Sequence, residues 1–227
     1  MPMGGEGERA SVLVMRHPET EANVSRCFAG RRDVLLTPRG EEQRKRAVEA
    51  VIAWRPDRIW CSPLARCLCI AAPAAETLGI EVEIDDRLQE IEFGELESKG
   101  YDYAAGHGYT FPWPIDSEGV SHPCPGAESF EDLLERAGSL LASAEPLDGR
   151  TAMITHGGFT RALLGSAFGS DLGRFWHMTI RNVASQILTT DHEGFYLDAF
   201  GLTPEEVVRR SAAGALGGGH STKGPER

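Results

Sequence analysis

Three short, mostly apolar runs, each followed at once by a helical pattern, constrain the fold of this chain more than any other feature. The runs are SVLVM (11–15), DRIWC (57–61) and RTAMIT (150–155). Apolar runs of this length are typical of strands that are buried on both faces of a parallel sheet. Strands that alternate with helices predict an α/β fold whose sheet is mainly parallel.

The segments between these runs carry helix start and stop signals. Thr37 and Pro38 suit the cap and first position of a helix, Ser62 and Pro63 repeat that pattern, and Gly79 is a typical helix end. We predict helices over 37–54, 62–79, 129–144, 156–169 and 203–210, a weaker edge strand over 81–85, and two closing strands over 184–191 and 194–200.

Residues 95–128 differ from the rest of the chain because they are rich in glycine, proline and aromatic residues and show no sustained period. A loop of this length inside a compact domain is typical of a functional lid, and its aromatic content argues against full disorder. We therefore predict a single domain over 11–211 with a lid insertion at about 95–128. A flexible N-terminus (1–10) and a flexible, glycine-rich tail (212–227) are expected to flank it.

Composition narrows the class of protein. The net charge of −11 argues against a nucleic-acid partner, and no apolar stretch reaches the roughly 20 residues that span a bilayer. The five cysteines are an odd number without a CxxC pair, which favours reduced thiols in a cytoplasmic protein and offers no zinc-ligand spacing. The sequence does not fix the oligomeric state and leaves a homodimer open.

Basic and imidazole side chains stand at the ends of the three predicted strands. Arg16 and His17 end the first, Arg66 lies one turn into the helix after the second, and His156 and Gly157 end the third. Ligands of open α/β sheets bind beyond the carboxyl ends of the strands, where helix N-termini also present unpaired N–H groups. The convergence predicts a pocket for an anion, and the planar fork of arginine suits phosphate oxygens.

The two histidines suggest chemistry beyond binding. A neutral imidazole can attack phosphorus once arginines neutralise the phosphate oxygens. The leaving alkoxide then needs a proton, and the segment RLQEIEFGELE offers the carboxyl groups of Glu90, Glu92 and Glu95. A bound phosphate would favour the protonated form of whichever carboxyl lies beside it.

Four ordered segments resemble motifs of the histidine phosphatase superfamily, also called phosphoglycerate mutase-like. They are RHPETEAN (16–23), SPLAR (62–66), LQEIEFGE (88–95) and THGG (155–158). The similarity extends from about residue 11 to about residue 200. It implies a three-layer α/β/α sandwich and a phosphohistidine intermediate, with no metal and no other cofactor. The chain is accordingly expected to be an enzyme that acts on a small-molecule phosphate ester.

The resemblance also assigns roles by motif. His17 matches the nucleophile and Glu90 the proton donor, which leaves Glu92 and Glu95 as surface or lid residues. His156 matches the second histidine of the site and is counted with the catalytic residues. The expected phosphate and substrate contacts are Arg16, Asn23, Arg66 and the backbone amide of Gly157. Asn23 has an alternative interpretation as the cap of a helix or turn.

One departure from the family pattern concerns the residue after the nucleophile. The family usually has glycine where Pro18 stands, and proline removes one backbone N–H. We expect this loss to be tolerated. A non-catalytic, phosphate-binding protein is nevertheless an alternative, although the presence of His17, His156 and Glu90 together argues against it.

The lid composition bears on the choice between a phosphatase and a cofactor-dependent phosphoglycerate mutase. A mutase must shield phosphohistidine from water and hold a second phosphorylated group with additional cations. Apart from its histidines, the segment 95–128 has only Lys99 as a basic residue, against six acidic ones. Hydrolysis of a small phosphorylated metabolite is therefore the predicted reaction. Sugar phosphates, phosphoglycerates and nucleotide-like esters all remain candidate substrates, with a slight preference for a ring or apolar leaving group.

Overall fold

Six strands and seven helices build residues 10–216, the part of the chain that the computed structural model describes. The strands are β1 (Ser11–Arg16), β2 (Arg58–Cys61), β3 (Val82–Ile84), β4 (Arg150–Thr155), β5 (Ser185–Asp191) and β6 (Gly194–Leu202). The helices are α1 (Glu21–Ser25), α2 (Pro38–Trp54), α3 (Ala65–Leu78), α4 (Tyr101–Gly106), α5 (Phe130–Ala144), α6 (Gly157–Ala167) and α7 (Pro204–Ala212). Residues 1–9 and 217–227, which include most of both predicted flexible ends, lie outside the described residues.

The strands form one sheet in the order β3-β2-β4-β1-β5-β6. The first four run parallel, whereas β5 pairs antiparallel with β1 and β6 antiparallel with β5. The prediction of a mainly parallel sheet is therefore confirmed. In the β1–β4 register Arg16 lies opposite Thr155, so the residues that follow, His17 and His156, leave the sheet side by side.

Helices cover both faces of this sheet, as the alternation of side chains along β1 requires. Val12 and Val14 pack into one cluster with side chains of α5 and α6, and Leu13 and Met15 into another with side chains of α2, α3 and α7. The expected three-layer α/β/α sandwich is confirmed. Leu216 is also buried in the second cluster, so packing continues past the end of α7.

Three details differ from the sequence prediction, and the first is helix α1, which was not predicted. Helix α3 begins at Ala65 rather than near Ser62, because the Ser62 hydroxyl contacts the ring of His156 and does not cap the helix conventionally. The lid contains helix α4, which lacks a side-chain cap at its N-terminus and so gave little signal in the sequence. Elsewhere the predicted caps hold, since Thr37 accepts from the amide of Gly40.

Aromatic packing joins the lid to the body of the domain. The Phe111 ring lies 5.2 Å from Phe93 and 5.0 Å from Trp176, centroid to centroid, and Trp113 is buried with its indole N–H donating to the carbonyl of Glu128. These contacts place one wall of aromatic rings over the carboxyl edge of the sheet. Within residues 10–216, no helix combines the length and apolarity needed to cross a membrane.

Candidate active site

A cavity of about 210 Å³ lies beyond the carboxyl ends of β1 and β4. Six of the seven residues predicted from the sequence line it: Arg16, His17, Asn23, Arg66, Glu90 and Gly157. The seventh, His156, lies directly behind, fully buried, with its ring centroid 5.2 Å from that of His17. The fold thus gathers all seven positions, although they come from four separate segments of the chain.

His17 is buried and held in one tautomer. Its ring Nδ1 lies 2.6 Å from the carbonyl oxygen of Pro18, which can only accept, so Nδ1 carries the proton and Nε2 keeps its lone pair. Burial first, and then the charges of Arg16 and Arg66, hold the pKa of His17 well below its usual range, although the bond to Pro18 opposes them. The ring is therefore neutral at neutral pH and has a free basic nitrogen.

The backbone carbonyl oxygen of Pro18, which proline retains, orients the ring of His17. The hydrogen bond from His17 Nδ1 uses this carbonyl and not the N–H that proline lacks. The preceding amide is also satisfied, since the N–H of His17 donates to the carbonyl of Thr155 at 2.9 Å. The departure at position 18 is thus compatible with a correctly oriented His17.

Arg16 lines the cavity, and its guanidinium group is not fully hydrogen-bonded by the described residues. Its Nη1 donates to the carbonyl of Ile180 at 2.6 Å, whereas its buried Nε finds no acceptor among residues 10–216. The guanidinium group packs against the backbone of Gly157, where a Cβ would stand only 3.2 Å from Nε. Buried donors without an acceptor are rare in proteins, so Arg16 is a cation whose hydrogen bonds the described residues leave incomplete.

Arg66 is fixed by its own hydrogen bonds. Nη1 donates to the carbonyl of Arg32 at 2.7 Å and Nη2 to that of Gly30 at 2.6 Å, while Nε donates to Nδ1 of His156 at 3.1 Å. These bonds hold the guanidinium plane in place before any ligand arrives. A cation held in this way loses little side-chain entropy when it meets phosphate.

His156 supports Arg66 and lies behind the cavity wall. Because a guanidinium group can only donate, Nδ1 of His156 must accept from Arg66, and Nε2–H then donates to Oγ of Ser62 at 2.8 Å. Burial, followed by the charge of Arg66, holds the pKa of His156 well below its usual range. His156 is thus a neutral ring that orients one of the cationic groups.

Glu90 lies at the N-terminus of α6. Its Oε2 accepts from the amide of Gly158 and its Oε1 from that of Phe159, each at 3.0 Å, and a further bond from the Ile91 amide completes the set. These three backbone donors fix the position of the Glu90 carboxyl group at the edge of the cavity. A Cβ at Gly158 would come within 2.9 Å of the Trp176 ring and collide with the Glu90 carboxylate, so position 158 requires glycine.

The two other glutamates of this segment lie away from the cavity. Glu92 forms an ion pair with Arg31 at 3.4 Å, and Glu95 accepts from the Tyr109 hydroxyl at 2.7 Å. Neither side chain lines the cavity. The geometry agrees with the choice of Glu90 among the three.

Asn23 belongs to a helix cap and also lines the cavity. Its Oδ1 accepts from the amide of Thr20 at 3.1 Å, which completes a capping box at the start of α1, and from Nδ2 of Asn182 at 3.1 Å. These bonds direct the oxygen inward, while the residue also lines the cavity. The cap therefore orients a side chain that lines the cavity.

Arg161 is a cavity residue that the sequence analysis missed. Its Nε donates to the carbonyl of Met178 at 2.6 Å and its Nη1 to that of Gly157 at 2.9 Å, and its guanidinium carbon lies 4.9 Å from the Trp176 ring. The signal was present, because Arg161 stands four residues after Gly157 and therefore on the same face of α6. It makes the cavity more positive.

Asn182 and Val183, also missed, hold the backbone at His17 and Arg16. Nδ2 of Asn182 donates to the carbonyl of His17 at 3.1 Å, and the amide of Val183 donates to the carbonyl of Arg16 at 3.1 Å. Val183 has a φ of +53°, which is a strained conformation for a β-branched residue. The loop before β5 is thus shaped to contact the end of β1.

Asn182→Ala is expected to lower kcat by roughly tenfold, because the His17 carbonyl and the Asn23 amide lose a shared donor. Asn182→Asp should lower it at least as much, since a carboxylate cannot donate and faces Oδ1 of Asn23. Steady-state kinetics, with urea unfolding of each variant, measure the effect separately from stability. Full activity in Asn182→Asp would contradict the role as a donor.

The two buried histidines predict a pH-dependent stability. Their folded pKa values lie well below the unfolded value near 6.5, so the unfolded chain takes up protons first as the pH falls. Between pH 7.5 and 5.5 the free energy of unfolding should fall by about 3 kcal/mol, half from each ring. Urea unfolding of the protein and of His17→Gln measures this, and His17→Gln should show about half the dependence.

The matched control for that measurement is His192→Gln, since the His192 side chain is 87% exposed. It should leave the pH dependence unchanged. Equal stability of the unsubstituted protein at both pH values would contradict the assignment of two neutral, buried rings.

The comparison with known families agrees with this geometry. The sequence profile of the histidine phosphatase superfamily (branch 1) matches residues 12–203. The chain belongs to this superfamily and is an enzyme of the phosphomonoesterase type. Within residues 10–216, no group of three or more His, Cys, Asp or Glu side chains is placed to hold a metal ion.

Individual relatives include phosphatases and a mutase by name. The chain is 31% identical over 174 residues to "Putative phosphoserine phosphatase 2" of Hydrogenobacter thermophilus, covering 75% of this chain and 85% of that one. It is 27% identical over 173 residues to a "Probable phosphoglycerate mutase" of Salmonella paratyphi C, covering 75% and 80%. A mycobacterial glucosyl-3-phosphoglycerate phosphatase in complex with VO3 shares the fold, with a TM-score of 0.73 at 24% identity over 84% of this chain and 98% of that one.

Proposed function

We propose that this enzyme hydrolyses small phosphomonoesters through a phosphohistidine formed on Nε2 of His17. The observation that carries the proposal is the fixed tautomer: the Pro18 carbonyl binds Nδ1–H and leaves Nε2 with its lone pair beside the cavity. Arg16 supplies a buried donor without a partner, and Arg66 a guanidinium group locked in place. A neutral nucleophile between two fixed cations suits attack on a phosphate dianion.

The residues support a two-step reaction. In the first step Nε2 of His17 forms a bond to phosphorus, the bond from phosphorus to the ester oxygen breaks, and the carboxylic acid of Glu90 gives its proton to that oxygen. In the second step water attacks the phosphohistidine while Glu90 takes one of its protons. The bond from phosphorus to nitrogen breaks, and inorganic phosphate leaves a neutral His17. Three arginines, Arg16, Arg66 and Arg161, either bind the phosphate oxygens or hold in place the groups that bind them.

The part of the chain that supplies the charged side chains of the cavity favours hydrolysis over the mutase reaction. Every charged side chain that lines the cavity lies outside the lid, and the lid contributes only aromatic rings, such as Tyr101 and Phe111. Lys99, the one lysine of the lid, lies over the ring of Tyr103. A mutase would need cations for a second phosphate or carboxylate group, so the geometry supports transfer to water.

The experiment is an assay of phosphate release by the full chain with EDTA present, over a panel of alkyl and aryl monophosphates. The proposal expects release without added metal and without 2,3-bisphosphoglycerate. Isomerisation of 3-phosphoglycerate that depends on 2,3-bisphosphoglycerate would establish the mutase alternative. Binding of inorganic phosphate with no turnover of any ester would establish a non-catalytic, phosphate-binding protein.

A further inference from the structure

A second cavity of about 670 Å³ opens beside the phosphate cavity, and we call it the aromatic chamber. The two cavities share four lining residues, which lie at the boundary between them: Phe28, Tyr101, Phe111 and Trp176. The phosphate cavity, at about 210 Å³, is smaller than the roughly 300–1,000 Å³ of ordinary ligand sites. For a substrate larger than a phosphoryl group and a few atoms, the aromatic chamber is the adjacent space that can hold the rest of the molecule.

Four aromatic rings, tilted or edge-on to one another, line one side of the chamber. The ring of Phe28 lies 4.6 Å from that of Tyr101 and 5.5 Å from that of Phe111, and Phe111 meets Trp176 edge-on at 5.0 Å, centroid to centroid. Tyr101 remains 45% exposed despite these contacts. Such a wall gains most from contact with another flat ring, through apolar burial and edge or face contacts between rings.

The charges of the chamber disfavour small anionic leaving groups. Among its lining residues Arg26 is the one cation, and its guanidinium carbon already lies 5.7 Å from the Tyr101 ring. A second carboxylate or phosphate within the chamber would meet no pair of cations comparable with Arg16 and Arg66. Thr110, a polar uncharged residue of the lining, suits an uncharged polar edge.

We propose that the preferred substrate is the monophosphate ester of an alcohol that carries a flat aromatic or heteroaromatic ring, and that this ring occupies the aromatic chamber. The inference rests on the proposed function, because the phosphate must lie beside His17. It adds that specificity comes from Phe28, Tyr101, Phe111 and Trp176, outside the reacting groups.

The test compares two primary alkyl esters of matched chemical reactivity, ethyl phosphate and 2-(2-naphthyl)ethyl phosphate. The ring should raise kcat/KM by roughly thirtyfold or more, since it moves from water to an apolar wall. Ala105→Trp tests the location, because Ala105 is exposed and lines the chamber but not the phosphate cavity. This variant should reduce the advantage of the ring at least tenfold.

A control variant and a binding measurement distinguish a failure of the chamber proposal from a failure of the proposed hydrolysis. Ala142→Trp makes the same substitution at an exposed position of α5 that lines neither cavity, and it should leave the advantage intact. Binding of the non-hydrolysable pair, propylphosphonate and 3-(2-naphthyl)propylphosphonate, to the unsubstituted protein is measured by calorimetry. Ring-dependent binding without turnover of either ester would support the chamber and overturn the proposed hydrolysis.

Three results would contradict the proposal that the aromatic chamber binds the ring of the substrate. One is equal affinity for the two phosphonates. Another is an unchanged ring advantage in Ala105→Trp. The third is a higher kcat/KM for phosphoserine or 3-phosphoglycerate than for the naphthyl ester, because those small anionic leaving groups make no use of an aromatic wall.

Discussion

His17→Ala is expected to abolish phosphate release, with a fall in kcat of at least about 10⁴-fold, while the protein should keep its affinity for inorganic phosphate. The variant removes Nε2 of His17, which keeps its lone pair because Nδ1–H is bound to the Pro18 carbonyl. It leaves the fixed guanidinium group of Arg66 and the buried donor of Arg16 unchanged. Kinetics with an alkyl phosphate and calorimetry with inorganic phosphate measure the two effects in one preparation.

The control for that variant is His192→Ala, which truncates a histidine on the exposed turn between β5 and β6. It should retain full activity. If His17→Ala kept more than about one part in a hundred of the activity, attack by His17 would not be the route. If it lost phosphate affinity and folded structure together, circular dichroism would show it, and His17→Asn would replace it in the same comparison.

Glu90→Gln is expected to separate substrates by their leaving groups. A poor leaving group such as ethoxide needs a proton, so kcat/KM for ethyl phosphate should fall by roughly 10²–10⁴-fold. Nitrophenolate leaves without one, so kcat/KM for p-nitrophenyl phosphate should fall less than about tenfold. The second step also needs Glu90 to accept a proton from water, and the variant should therefore show a burst of one nitrophenolate per active site.

Glu92→Gln provides the matched control, because it makes the same substitution two residues away, at a side chain paired with Arg31 outside the cavity. Both esters should be hydrolysed at nearly unchanged rates. The ratio between the two esters matters more than either rate, since loss of contacts with Gly158 and Phe159 would slow both alike. An equal loss for the two esters in Glu90→Gln would exclude Glu90 as the proton donor.

The sequence predicted the sheet and the principal site because both depend on local signals. The ends of β1 and β4 are visible as apolar runs that stop at Arg16 and His156, and parallel pairing places those ends together. The predicted start of helix α3 was wrong because the hydroxyl of Ser62 contacts His156, a residue far away in the chain. No local pattern reveals such a contact.

The residues that were missed act through long-range contacts. Asn182 reaches the backbone of His17 and the side chain of Asn23 only because β5 pairs with β1. The sequence could not show whether proline at position 18 disturbs the site. The answer depends on which backbone atom of Pro18 contacts the His17 ring. Arg161 is different, because its spacing from Gly157 on α6 was available in the sequence.

The most direct test follows phosphorus onto the protein. The full chain is mixed with a ³²P-labelled monophosphate, quenched within milliseconds, and the labelled peptide is identified. The account predicts a label that is lost in acid, survives alkali, and lies on the peptide containing His17. A label on another residue, or active enzyme that never carries one, would contradict it.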